Sequence, residues 1–274
     1  MKNKLQSILC VVLLFSSIST FAQSKDDPKH ENHFKQLAPI NTDAIDIEFS
    51  DAHAQQEFCL VKLKITNKTN DFIFFNTEEL TFKFDHGIYK PKQKQIIIKP
   101  KGSCSYLAKV TGDSNFHVES FTLEIEGLSR LTTNVTALKV DKFQVPANKN
   151  NFTVGDFKIN LLKSKQETQE TWLRFSCIYE GSKIGIVDPS NIIITTEKGE
   201  WANDFKKSKI ILLQNGETKK FSAIFHIPGK ILDMQFATMH IDWKETFKES
   251  ELEEMNGHKL NFEFDQGITS GKNK

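Results

Sequence analysis

The sequence predicts an all-β protein made of two tandem antiparallel β-sandwich domains. Apolar and polar residues alternate over short runs that are separated by turn residues, and this pattern is typical of half-buried strands. Residues 45–128 are echoed by residues 157–247, with landmarks that return roughly 112–117 residues later. A repeat of this length far exceeds a solenoid unit, so each copy is expected to form a domain with its own core.

Three pairs of segments carry the repeat. Each pair shares the same spacing of apolar residues and glycines. The matching pairs are residues 58–65 with 172–179, residues 95–102 with 209–216, and Gly87 with Gly199.

The first 22 residues have the pattern of a cleaved secretory signal. Lys2 and Lys4 give a basic start, residues 8–15 are apolar, and the segment ends in a small residue at Ala22. The ending resembles bacterial export signals, which implies a periplasmic or secreted protein. No later apolar run reaches the ~18 residues that a spanning helix needs. We therefore expect a soluble protein with no transmembrane segment.

Composition and turn signals divide the chain. Residues 1–22 are the signal peptide, 23–41 a flexible leader, 42–145 the first sandwich, 146–155 a linker, 156–265 the second sandwich and 266–274 a flexible tail. Residues 245–255 are acidic and precede Asn256-Gly257, so a short surface helix is predicted there.

The strands are expected where alternation is clearest and turn residues interrupt it. Those of the first copy are residues 45–49, 59–65, 72–75, 80–84, 95–98, 106–110, 116–125 and 137–145. Those of the second copy are residues 157–162, 171–179, 191–196, 209–213, 220–227, 235–243 and 259–264.

One segment carries a family resemblance. Leu-Gln-Asn-Gly-Glu at residues 213–217, followed by Phe221, Phe225 and Ile227-Pro228, resembles the strand-turn-strand segment of many bacterial immunoglobulin-like domains. Residues 98–102 of the first copy look like the same turn. The resemblance covers about fifteen residues per copy. It implies immunoglobulin-like sandwiches and no particular activity.

Charge and composition disfavour nucleic acid as a partner. Without Lys2 and Lys4 the formal charge falls from +1 to −1, and Arg130 and Arg174 are the two arginines. Bidentate phosphate recognition relies on guanidinium groups. The 23 phenylalanines, against three tyrosines and three tryptophans, indicate well-filled apolar cores instead.

No sequence motif indicates catalysis. The chain lacks a Gly-x-Ser-x-Gly elbow, a His-Glu-x-x-His pair, a phosphate-binding glycine loop and a Cys-x-x-Cys pair. We therefore expect no catalytic residues and no cofactor. The enzyme alternative is a hydrolase whose site lies in the groove between the two domains.

The best metal candidates are His226, His240 and Asp242. Alternation places all three on the outward face of their strands, where two imidazoles and a carboxylate could bind zinc if the strands were neighbours. The alternative is that they are ordinary solvated residues.

Three cysteines remain after signal removal, an odd number for an oxidising compartment. Cys59 and Cys104 could form a disulfide across the first sandwich, whereas Cys177 falls on an inward position and is expected to be an inert thiol. Three separate reduced thiols are the alternative.

The run Phe72-Ile-Phe-Phe75 is the main candidate for binding. Alternation buries half of it in a sandwich and leaves the rest in need of a cover. Phe72, Phe74 and Phe75 could therefore contact a partner, or they could pack within the chain. Asn67-Lys-Thr69 fits a glycosylation sequon but is interpreted as turn chemistry.

The resulting expectation is an exported, non-enzymatic binding protein of the bacterial envelope. It would engage a protein or cell-surface partner through a sandwich face, or through a sheet edge that accepts another strand. Lys62 and Lys64, or Lys219 and Lys220, would guard the remaining edges. A periplasmic chaperone or assembly subunit is a further alternative.

Overall fold

The computed structural model describes residues 29–112, 115–204 and 208–273. In these residues the chain is predominantly β, its paired strands run antiparallel, and the one α-helix is short. The all-β prediction is therefore confirmed. The predicted signal at residues 1–22 and the first part of the predicted leader lie outside the described residues.

Many of the strands, such as β6 and β10, alternate buried and more exposed residues, as the sequence pattern predicts. Up to residue 131 they are β1 (Asn32–His33), β2 (Ile40–Asn41), β3 (Ile45–Ala54), β4 (Phe58–Asn67), β5 (Phe72–Asn76), β6 (Leu80–Phe84), β7 (Gly87–Tyr89), β8 (Gln95–Ile98), β9 (Ser103–Thr111), β10 (Ser120–Ile125) and β11 (Leu128–Leu131).

The later elements begin at residue 143. They are β12 (Phe143–Val145), β13 (Asn151–Val154), β14 (Phe157–Gln166), β15 (Glu170–Tyr179), β16 (Ile184–Val187), β17 (Ile193–Thr196), β18 (Gly199–Ala202), β19 (Ile211–Leu213), β20 (Thr218–His226), β21 (Met239–Asp242), β22 (Phe247–Ser250), β23 (Leu252–Glu254), β24 (His258–Glu263) and α1 (Gln266–Lys272).

The same order of pairing occurs twice along the chain. In the first repeat, residues 45–131, one sheet has the order β3-β4-β9, and the others join β11-β5-β8 and β10-β6-β7. In the second repeat, residues 151–250, the corresponding orders are β14-β15-β20, β22-β16-β19 and β21-β17-β18. Each strand of the first repeat thus has a counterpart in the second.

A break at the same place interrupts the long strands of both repeats. Asn76, which precedes the 3-10 turn Thr77–Glu79, donates its backbone N–H to the carbonyl of Gly127 at 2.9 Å. Gly127 has φ +74°, and a Cβ there would lie 2.6 Å from the Asn76 oxygen, so glycine is required. In the second repeat, Asp188 donates in the same way to Thr246 at 2.8 Å.

The closing strand of each repeat comes from the other half of the chain. β23 and β24 pair with β11 and β10 of the first repeat. In return, β12 pairs with β21 of the second repeat, and Leu138 donates its N–H to Phe247 O at 2.8 Å. We call β12, β23 and β24 the exchanged strands.

The exchanged strands bring aromatic side chains into the opposite core. Phe262 of β24 stacks on Phe121 in the first core, with ring centroids 4.7 Å apart and planes inclined by 4°. Phe143 of β12 contacts Phe175 in the second core at 6.0 Å. Full burial of one such side chain contributes about 1.5–3 kcal/mol. Each core is therefore completed by the partner half of the chain.

This exchange corrects two of the predicted boundaries. β24, assigned by the sequence to the second sandwich at 156–265, belongs to the sheets of the first repeat. β12, assigned to the first sandwich at 42–145, belongs to the second. Alternation identifies a strand but not its partner, because any half-buried sheet edge suits the same pattern.

The ends of the chain also differ from prediction. Residues 247–254 form β22 and β23 rather than part of a surface helix at 245–255. The predicted tail at 266–274 contains α1, and its Asn273 is buried. Within the predicted flexible leader at 23–41, β1 pairs with β3, and Phe34 is buried.

The predicted turn at residues 67–69 is confirmed. The buried Asn67 side chain donates to Asp71 O at 2.7 Å and Lys99 O at 3.0 Å, and its Oδ1 accepts from the Thr69 N–H at 2.9 Å. One amide therefore satisfies backbone groups from two turns.

We predict that Asn67→Ala lowers the free energy of unfolding by roughly 3 kcal/mol, because buried groups left without a partner cost about 1–3 kcal/mol each. Urea unfolding would measure the loss. Asn134→Ala, at an exposed asparagine, should stay within ~0.5 kcal/mol of the parent. Equal effects of the two substitutions would contradict the turn's role.

We also predict that residues 29–131 do not fold alone, because β10 and β11 would lose β24 and β23. A shortened chain should fold if a short turn joins Leu131 directly to Leu252, its cross-strand neighbour, and the chain then continues to residue 273. Dispersion of amide NMR signals and cooperative thermal unfolding would distinguish the two. A well-folded 29–131 fragment would show that the exchanged strands are dispensable.

Candidate functional site

The predicted metal set does not assemble. His226 lies on β20, where its two ring nitrogens are each 3.1 Å from a carboxylate oxygen of Glu170 and Asp204. His240 and Asp242 lie on β21, in a different sheet. Their strands are not neighbours, so the condition on which these metal candidates depended is not met. No group of three or more His, Cys, Asp or Glu side chains among the described residues is placed to hold a metal ion.

The predicted disulfide is also wrong. Cys59 lies opposite Val110, whereas Cys104 of β9 lies opposite Ile65, six residues further along β4. At ~3.3 Å per residue this register separates the two cysteines by about 20 Å, and a disulfide needs Cα atoms within ~7 Å. Cys59, Cys104 and Cys177 are free thiols.

The buried thiols and phenol are poorly suited to chemistry. Burial raises the pKa of the Cys59 and Cys104 thiols and raises the pKa of Cys177 to about 12. Burial, with the nearby carboxylates of Glu249 and Asp156, raises the pKa of Tyr179 to about 12. These groups remain protonated near neutral pH, so none is an activated nucleophile.

The aromatic run at residues 72–75 is buried within the chain. Ile73 and Phe75 point into the first core, while Phe72 and Phe74 form a separate apolar cluster with Leu131, Ile184 and Ile186. Phe74 is 3% exposed. Phe72 and Phe74 are thus covered by the second repeat and Phe75 by the first core. Of the two alternatives for this run, packing within the chain is the one that the structure shows.

This cluster, which we call the shared layer, explains why both repeats carry an apolar run at the same place. Phe72 and Phe74 occupy the outer face of β5, and Ile184 and Ile186 occupy the outer face of its counterpart β16. The two faces cover each other. The more aromatic run of the first repeat is therefore no sign of a separate binding role.

A large cleft beside β12 is basic but contains no catalytic arrangement. It has a volume of about 690 Å³ and lies beside β12, where Lys139, Lys142, Lys149 and His240 line it. Lys142 is 3.9 Å from Asp242. The described lining offers no serine or cysteine next to a base, as nucleophilic catalysis requires.

The free edge of β9 is the feature most suited to binding. β9 is nine residues long and has β4 as its one strand partner in the described part of the chain. No described residue outside β4 forms a backbone hydrogen bond with it. Half of its backbone donors and acceptors therefore point to the free side, where another strand can pair.

The counterpart edge in the second repeat is covered. Asp204 donates its N–H to Ile224 O of β20 at 2.8 Å, and Asn203 Oδ1 accepts from the Ile224 N–H at 2.9 Å. The segment at residues 203–204 therefore occupies part of the β20 edge. The two repeats differ at this one edge even though their pairing order is the same.

The β9 edge also lacks the usual protection. It has no proline, and its single lysine, Lys109, leans back over β4 with Nζ 3.9 Å from the Phe58 ring centroid. Lys62 and Lys64, predicted as edge guards, lie on β4, which is paired on both sides. Lysines that point along a free edge disfavour strand pairing, and none does so here.

The outer face of β9 is apolar at its centre. Leu107 is the middle residue of the strand and is 50% exposed. Its counterpart on β20 is Lys220, because Leu107 pairs with Lys62 and Lys220 pairs with Ser176, the position that corresponds to Lys62. This difference between Leu107 and Lys220 is visible in the sequence, but only the strand order shows that β9 lies at a sheet edge.

Comparison of the chain with protein-family models and with curated proteins finds no match. None of the helices among the described residues has the length and apolar character needed to cross a membrane. Function is therefore inferred from the geometry of the chain itself.

We predict that Phe74→Ala destabilises the protein by about 3–5 kcal/mol, because it leaves a cavity in the shared layer. Chemical denaturation would measure the change. Ile97→Ala, on the neighbouring β8 at a position 44% exposed, is the control and should cost much less. Unchanged stability of Phe74→Ala, together with lost partner binding, would restore the partner-contact hypothesis.

Proposed function

We propose that this protein is an exported, non-enzymatic binding protein of the bacterial envelope, built from two immunoglobulin-like sandwiches with exchanged closing strands. It binds a partner protein by accepting an extended segment along β9. The observation that carries the proposal is the free edge of β9, nine residues long and without a guarding charge.

Pairing of an added strand with this edge is energetically favourable. Each backbone hydrogen bond between β9 and an incoming segment would contribute about 0.5–1.5 kcal/mol net, and several are available along nine residues. Leu107 offers an apolar contact for one side chain of the partner. Backbone pairing supplies affinity, and side-chain pockets supply specificity.

The alternatives have less support. A chaperone that offers residues 72–75 to clients loses its main argument, since the second repeat covers Phe72 and Phe74. A hydrolase with its site in the groove between the repeats gains no support, because apolar side chains fill the shared layer where β5 and β16 meet. The signal that the sequence predicts at residues 1–22 supports the envelope or the exterior as the place of action.

The test is site-specific photo-crosslinking. A photoreactive phenylalanine analogue at position 107 of the otherwise native chain is expected to capture a partner in envelope extract. Mass spectrometry of the product should map the contact to one extended segment of that partner. The same analogue at Leu162, which is 49% exposed on β14, is the control for exposure and should capture little.

Leu107→Lys gives the second measurement. This variant gives β9 the lysine that the second repeat has at the counterpart position, Lys220. It is expected to weaken binding of the captured partner at least tenfold, with folding unchanged. Leu162→Lys should leave affinity unaltered. Equal capture from positions 107 and 162, or full affinity of Leu107→Lys, would contradict the β9 site.

A further inference from the structure

Four of the eight histidines gather where residues 29–34 meet the end of β3, and α1 lies beside them. His30 and His33 belong to the N-terminal segment, residues 29–34, which lies along the end of β3. His53 is on β3, and His117 lies in the connection that precedes β10. The other residues of the segment fix its position, with Asn32 Nδ2 donating to Val118 O at 3.0 Å.

The first histidine pair is a direct hydrogen bond. His30 Nδ1 is 2.8 Å from His117 Nε2, and the ring centroids are 5.0 Å apart. One of these nitrogens must be unprotonated to accept, since an imidazolium has donors only. His30 is buried, and Lys29, His117 and Glu119 form additional contacts. Protonation of both rings would replace the hydrogen bond with repulsion.

The second pair is His33 with His53, whose ring centroids are 5.3 Å apart. Charged groups face it from three elements: Glu31 Oε2 is 3.1 Å from His33 Nε2, Asp51 Oδ1 is 3.5 Å from His53 Nδ1, and Lys272 of α1 acts on His33. Burial lowers the pKa of His33 below its ordinary value, His53 and Lys272 lower it further, and Glu31 opposes them.

The C-terminal helix holds the same segment. Asp265 donates its N–H to His33 O at 2.8 Å, and the His33 N–H donates to Thr269 Oγ1 at 2.9 Å. Asn273 Nδ2 donates to Glu31 O at 2.8 Å and its Oδ1 accepts from the Glu31 N–H at 3.0 Å. Residues 29–34 and α1 therefore stabilise each other through hydrogen bonds. We call the two together the terminal latch.

We propose that the terminal latch is acid-sensitive and detaches from β3 as the pH falls from neutral to mildly acidic values. Closed, it holds His30 and His117 in a hydrogen bond that needs an unprotonated ring nitrogen, and it holds the buried His33 beside His53 and Lys272. Released, all four rings are solvated and free to take up protons.

The direction follows from proton linkage. The released state binds more protons than the closed state, so acid favours release. The stability contributed by His33 is present above its ordinary pKa of 6.5 and is lost as the pH falls below that value and through the lowered pKa of the closed state. Each unit by which the closed state lowers a pKa shifts the opening equilibrium up to tenfold.

Release would uncover apolar surface. Phe34, which is buried, packs edge-on against Phe121 at 4.8 Å. Its departure would expose that ring and free the edge of β3 at His53 and Ala54, where β1 now pairs. The protein would then offer a second strand edge at low pH only.

Hydrogen exchange of the full-length mature protein at pH 7.5 and 5.5, with chelator present, tests the proposal. After correction for intrinsic rates, peptides covering residues 29–36 and 264–273 should lose at least tenfold protection at pH 5.5, while β15 peptides stay unchanged. Unaltered terminal protection, or an equal loss in β15, would overturn the latch.

The variant His30→Gln/His33→Gln keeps hydrogen-bonding side chains but cannot be protonated there. It should lower the pH response below twofold, while His226→Gln, a distant histidine, should retain the full response. If the double variant is open at both pH values, His117→Gln replaces it, since it leaves the segment itself intact. A response undiminished in His117→Gln would equally overturn the proposal.

Discussion

The exchange of closing strands is the constraint on which the rest of the structure depends. Phe262 of β24 completes the aromatic stack of the first core, and Phe143 of β12 packs in the second. Neither core is filled by its own repeat alone. We therefore expect the two repeats to unfold as one cooperative unit, because loss of β24 or of β12 opens a core and an edge at once.

The shared layer between β5 and β16 follows from the same exchange. Ser250 and Leu252 are separated by one residue, so β22 of the second repeat continues almost directly into β23 of the first. This short passage holds the outer faces of β5 and β16 against each other. The apolar faces of these two strands are thereby used within the chain and are not available for recognition. The nine-residue edge of β9, uncovered among the described residues, remains available.

Much of the strand content could be predicted from sequence, since alternation reports one buried face. The turn at Asn67 was also predictable, because its chemistry is local. What failed was everything that depends on strand partners. Cys59 and Cys104 share a sandwich but are offset by six residues in register, and His226 and His240 both point outward but from different sheets. The spacing of residues along the sequence gives no information about the register between strands.

The topology also relates the two ends of the chain to the proposed binding edge. In the sheet order β1-β3-β4-β9, the terminal latch covers the β3 edge and the proposed partner site is the β9 edge, two strands away. α1 follows β24 after two residues, so the exchanged strand that completes the first core also delivers the helix that holds His33. The latch therefore depends on the exchange, whereas the β9 edge does not need the latch. A sheet arranged in this way can gain a second open edge in acid while its first remains available at every pH.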